Sequence, residues 1–537
     1  MRTSGIGCIL ALLAAAPAAA QMHGGHDSRR TPSDSVPFFE GLGTLSRPIT
    51  TASELAGRYF DQGLRLTYGF GHVEAVRSFR EALKHDPACA MCAWGVSWAL
   101  GPYINEGRDS ARTAEAWVVV NEAKRLAAVD GAATEIERAL IDAMSRRYER
   151  TPTVAREAAL DSAYASAMRE VVRRFPHDLD AATLFAESLM VLRPWDHWTR
   201  EGLPQPGTDE VLAVLESVLG RDIRHPGACH LYVHAVEASP RPERAAPCAE
   251  FLGDAIPAAS HVPHMPSHIW MRIGRYGDAV RANQRAWQAD LDAVRGRGVQ
   301  IYPTHNLHML LFAASFDGQS AVAWQAARDL SRIAPAMSFY VPLVLVRFGR
   351  WQDILDLDEP PEDSFEQGMW LHARGLAHLR TDAPDSARTA LDTLSTLLAG
   401  MPDSVTFRGH AVRHLLGVAR AILAAEIAAS KARWNDAERE LRDALPLEDS
   451  LEYDEPEPWI MPARHVLGAI LVDAGRPAEA EVAYREALRD HRENGWSLLG
   501  LAQAIRAQGR ESEADEVTRR FESAWQRADV RPWGSRY

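Results

Sequence analysis

A chain of 537 residues, 46% of them hydrophobic, is long enough to bury a large core, either as about three globular domains or as one continuous repeat array. Its formal net charge of −13, with no Lys/Arg-rich run and no interleaved aromatic platform, excludes a general nucleic-acid-binding role. Beyond the N-terminal segment no stretch offers the roughly 20 uninterrupted apolar residues of a membrane span.

Met1-Arg2, an apolar run from Ile6 to Ala16 and then Ala18-Ala19-Ala20 have the layout of a secretory signal peptide, so cleavage after Ala20 and a periplasmic or secreted address are expected. Residues 21–48, rich in Gly, Ser, Pro and charge, read as a flexible tether. Its new terminus, Gln21-Met22-His23 with His26 nearby, has the groups for a square-planar copper(II) or nickel(II) site, and also those of an ordinary tail.

From residue 49 to about 130 a helical pattern dominates. In RYFDQGLRLTYGFGHVEAVRSFREALKHDP, Gly63, Ala75, Phe79, Ala82 and Pro87 are separated by 12, 4, 3 and 5 residues. That spacing resembles the tetratricopeptide repeat, in which small residues let paired helices approach and Pro ends the second helix. Similar spacings return at Gly468, Gly475, Ala480, Tyr484 and Ala487, and at Trp496, Gly500 and Ala514. The resemblance implies an all-α fold, a right-handed superhelical solenoid of helix pairs. Phrases such as WGVSWALGPYIN, HPGACHLYVHAVEAS and HNLHML are similar to those of a functionally uncharacterised group of secreted bacterial tetratricopeptide proteins, a likeness that implies a fold and no chemistry.

Within that frame Trp94 and Trp98 are expected in the core. Cys89 and Cys92 form a C-x-x-C, read as packing or a local disulfide rather than a redox motif, and Cys229 and Cys248 fall on the two helices of one repeat. Residues 131–224 are helical but poorly registered, and LRPWDHWTREGLPQPGT, near 192–208, is a long insertion that either covers the groove or packs on the surface. Residues 225–336 form the central repeats and 337–537 the C-terminal ones, with the acidic stretch Leu447 to Trp459 read as a solvated connector.

The central repeats carry the chemistry. HLYVHAVEASPRPERA from His230 and HMPSHIWMRIGRYGDA from His264 align without a gap at an offset of 34 residues, so His230 matches His264 and His234 matches His268. In the resembled family the first helix of each repeat lines a concave groove, which implies that His261, His264 and His268, His305 and His308, and His230 and His234 with Glu237 all face it. His at i and i+4 lie on one helical face and share an ion at roughly 2.0–2.1 Å, and Glu237 adds a carboxylate as a ligand or a general base. Neutral nitrogens suit a transition metal: zinc, copper, iron or nickel. Pro266 interrupts the second copy and threatens to turn His264 away.

If catalysis accompanies the metal, a coordination position must stay open, and the chemistry is that of a metal-dependent hydrolase or an oxidase/oxygenase. There is no H-E-x-x-H, G-x-S-x-G, phosphate-binding Gly loop or nicotinamide fingerprint. The competing expectation is a metal-free scaffold that captures a peptide or protein partner in the same groove, with histidines that merely bond backbone, as His372 and His465 are placed to do.

Overall fold

The computed structural model describes residues 36–357 and 361–537; the expected signal peptide and the Gln21-Met22-His23 site lie outside the described residues. Helices follow one another from Glu54–Tyr68 to Glu511–Ala524, and the only strands among the described residues are the short pair Thr406–Phe407 and His410–Ala411. Helix starts are marked by ordinary caps. Asp178 accepts from the Ala181 N–H at 2.7 Å, Asn494 from Ser497 at 2.8 Å, and Thr134 and Glu137 form a reciprocal capping box. No helix among the described residues is long and apolar enough to cross a membrane.

Each helix packs on its successor, and alternate helices also meet, as Glu54–Tyr68 meets Ala90–Ala99 and Ala463–Asp473 meets Gly495–Ala507. One aromatic ring locks each of these two triplets. Phe79 lies so close to Gly63 and Gly95 that a Cβ at either would sit 2.6 or 2.5 Å from its ring, and Tyr484 fills the same role between Gly468 and Gly500. The small–aromatic spacing seen in the sequence is thus the packing rule that stacks one helix pair on the next. Trp94 and Trp98 are in the core, and Cys89 bonds to Cys92 and Cys229 to Cys248.

The array does not stay open. Trp496 donates its Nε1–H to Ser315 O at 2.9 Å, Arg527 forks onto Asp317 at 2.6 and 2.9 Å, and Tyr340 donates its hydroxyl to Pro458 O at 3.1 Å. These contacts join residues more than a hundred positions apart, so the C-terminal repeats close onto the central ones. The helix Pro226–Val236 is consequently buried at every residue, and Pro303–Phe316 from His305 onward. The expected open groove is replaced by a filled interior.

Two further expectations need correction. Of the tether, residues 36–48 are packed on the body: Arg47 pairs with Asp178 and Asp180 at 2.8 and 2.9 Å, Tyr59 donates its hydroxyl to Val36 O, and Leu42 is buried. Composition averaged over 21–48 hid these few anchoring side chains. The connector 447–459 is not solvated at its end either, because Asp454, Glu455 and Trp459 are buried. Arg408 pairs with Asp454 and donates to the Glu455 and Pro456 carbonyls at 3.0 Å, which compensates the burial.

Candidate metal centre

Pro226 opens the helix that carries His230 and His234, whose rings lie 5.1 Å apart on one face. In the next repeat the corresponding helix is broken into His261–His264 and Pro266–Arg272. The break leaves the pairing intact, since the His264 and His268 rings are 4.6 Å apart and their Nε2 atoms face each other at 2.7 Å. His305, on Pro303–Phe316, stands 4.6 Å from His264 ring to ring.

The outward nitrogens of four of these rings are fixed. His230 Nδ1–H donates to Tyr68 O at 2.6 Å, His234 Nδ1–H to Glu237 Oε1 at 2.7 Å, His268 Nδ1–H to Glu237 Oε2 at 2.6 Å, and His264 Nδ1–H to Asn283 Oδ1 at 2.6 Å. Asn283 is itself oriented by donating to Ala279 O at 2.9 Å, which leaves its oxygen for the imidazole. With Nδ1 protonated, each Nε2 faces inward, and in a neutral ring it carries the lone pair a metal requires. Nε2 of His230 and of His234 has no hydrogen-bond partner from the protein. A buried acceptor left unmatched costs about 1–3 kcal/mol, so the donor set fits a cation and is poorly served without one.

The ligand atoms fall into two sets of three, His230 with His234 and His261, and His264 with His268 and His305, each set within 4.8 Å of one another. A third grouping, His234, Glu237, His268 and Glu455, uses two of the same histidines. It competes poorly, because both Glu237 oxygens already accept Nδ1–H bonds. In this geometry Glu237 ties two imidazoles through its two oxygens, and it also stands among the carboxylates of the third grouping. Tyr453 donates its hydroxyl to Glu237 Oε2 at 3.0 Å, and Glu455 lies 3.1 Å from His268 Nδ1.

Burial opposes charge throughout. It drives His230 well below the ordinary imidazole range and His234 down to about 3, whereas at His268 it is outweighed by the carboxylates of Glu237 and Glu455, which raise that ring to about 10. The His264 and His268 Nε2 atoms, 2.7 Å apart, face each other with one proton between them. Aromatic rings enclose the cluster: Phe70 lies 4.0 Å from His230, Trp195 5.0 Å from His234 and Tyr302 5.1 Å from His261. Trp195 belongs to the 192–208 insertion, which is pinned by Trp198 donating to Ala235 O at 2.8 Å and so covers the site.

The structure brings together His230, His234, His261, His264, His268 and His305, and leaves out His308. That ring accepts from Arg408 at 3.0 Å and packs 4.5 Å from Tyr340, because at i+3 it points about 60° away from His305 around the helix. His372 bonds Ala419 O at 2.8 Å, the structural role expected of it. Sequence reasoning missed Tyr68, Asn283, Phe70, Tyr453 and Glu455. Of these only Asn283 had a signal, as a buried amide amid the alanines of the helix Tyr276–Val294.

The tetratricopeptide repeat family model matches residues 471–520. The fold is a helical repeat of the tetratricopeptide type. No curated protein matches the chain. Similar solved structures include a human IFIT1 dimer with m7Gppp-AAAA, at 12% identity over 88% of this chain and 91% of that one with a TM-score of 0.31. The Cut9–Hcn1 hetero-tetramer of the APC/C matches at 13% identity, over 88% and 74%, with a TM-score of 0.30, and yeast Tom70 at 13%, over 88% and 91%, with 0.28. TM-scores this low carry no functional argument.

Proposed function

We propose that this chain is a periplasmic or secreted helical-repeat protein that binds a transition metal, from among zinc, copper, iron and nickel, in its buried imidazole cluster. The observation that carries the reading is the orientation of four imidazoles, each tied through Nδ1 to a carbonyl, amide or carboxylate oxygen with Nε2 facing inward. Three imidazoles per ion leave a coordination position for an exogenous ligand, which permits chemistry as well as storage. The disulfides and the signal-like N-terminus support an oxidising compartment. A peptide groove lined by the same histidines is the weaker reading, since none of the six is more than 4% exposed.

The test is elemental analysis of untagged protein taken from the cell envelope, beside a His230→Ala/His264→Ala variant of unchanged circular dichroism. Near-stoichiometric metal that the variant lacks is the expected result. A wild type that is metal-free and takes up none of the four ions overturns the proposal.

A further inference from the structure

The repeat does more than supply histidines: it supplies the same donor set twice. His230 and His234 come from one repeat and take their third partner, His261, from the start of the next. His264 and His268 come from that next repeat and take theirs, His305, from the start of the one after. The two sets touch, with His234 5.1 Å from His268 and His261 5.3 Å from His264, ring to ring. Glu237 ties one ring of each set, His234 and His268, through its two oxygens. Among the described residues no grouping brings all six imidazoles around one point, and one carboxylate that ties a ring of each set holds their relative position.

We infer that the cluster is a binuclear centre: two adjacent late transition-metal ions, each held by three histidines, sharing a small bridging ligand such as hydroxide or dioxygen. This rests on the metal-binding reading above. All-imidazole, neutral donation favours copper, which among divalent ions binds such donors most tightly. Ions paired at roughly 3.5–4 Å clamp a ligand between them, and the Phe70, Trp195 and Tyr302 rings keep bulk water from that space.

The experiment titrates metal-free full-length protein with copper(I) under anaerobic conditions against a chromophoric chelator, and separately loads it with copper(II) for spin quantification. Two equivalents per chain are expected, with the integrated copper(II) signal well below the copper bound because the neighbouring spins couple. His230→Ala/His261→Ala and His264→Ala/His305→Ala should each leave one equivalent with its full spin. If one pair fails to fold, the other pair and the wild-type stoichiometry still decide. One equivalent in the wild type, lost with either pair, overturns the binuclear centre and leaves metal binding standing. Two equivalents with full, uncoupled spin overturn the shared bridge. No uptake of any ion overturns both readings.

Discussion

Glu237→Gln is the most informative single change, because it alters one atom beside the centre and removes no inward nitrogen. The carboxylate accepts from His234 and His268 at 2.7 and 2.6 Å, and both bonds are buried. Glutamine keeps one acceptor oxygen and places an NH2 against the other imidazole, donor to donor. That ring must move its proton from Nδ1 to Nε2, which caps the lone pair meant for the metal, or rotate away. Loss of one such orienting partner weakens metal affinity by roughly 10- to 100-fold, about 1.4–2.7 kcal/mol. The measurement is a competition titration of wild type and variant against the same chelator, with thermal unfolding of the metal-free forms as a control. Unchanged affinity would refute the claim that Glu237 orients the cluster, and would return it to a packing role. A loss of all binding would instead point to direct coordination by the carboxylate.

A Cβ on Gly227 would collide with the Tyr68 ring, whose carbonyl holds His230, whereas one on Gly63, earlier in the same helix, would meet the Phe79 ring instead. Gly227→Ala and Gly63→Ala should each cost about 1–3 kcal/mol by overpacking, yet only the first should weaken metal binding; equal affinities in both would separate Tyr68 from the site. Trp195→Ala opens the face over His234, so a chelator should strip the metal faster with little change in affinity, as stopped-flow would show; an unchanged rate would mean that the insertion does not gate access. Burial pushes the Asp290 carboxyl up to about 7 from an unfolded value of 3.8, so the native chain holds a proton that the unfolded chain releases between those values. Stability therefore falls as pH rises through that window, by at most about 1.4 kcal/mol per pH unit and on the order of 4 kcal/mol in all. Asp290→Asn should remove that loss and narrow the gap between urea midpoints at pH 5 and pH 8, whereas an unchanged gap would refute the assignment.

The sequence carried the histidine pairs because a duplicated repeat leaves a fixed offset, and the fold because glycine–aromatic contacts such as Gly63 with Phe79 recur at family spacing. Closure of the array was invisible. Contacts such as Arg527 with Asp317 or Tyr453 with Glu237 join residues about two hundred positions apart, and no local period encodes them. For the same reason the acidic run ending in Trp459 read as solvated: charge density points to water unless a buried partner exists, and that partner, Arg408, lies outside the run. Tyr68 acts through its carbonyl, a group that every residue has, so no side-chain pattern marks it.

Closure is also what turns a repeated residue into a site. Neighbouring helix axes lie about 8–10 Å apart, too far for equivalent side chains to share one small ligand if they project in parallel. Here they converge instead, and the His234 and His268 rings come to 5.1 Å. Met265 keeps helical backbone angles at the break, so His264 and His268 stay one turn apart and face each other. The same histidines on an open, gently curved solenoid would stand as separate pairs, hydrated and free to titrate. Held shut by the Trp496, Arg527 and Tyr340 contacts, they form one buried cluster, in which Nε2 of His230 and of His234 has no hydrogen-bond partner from the protein. Metal affinity should therefore be linked to the integrity of a seam remote from the histidines, and the metal, once bound, should stabilise that seam in return.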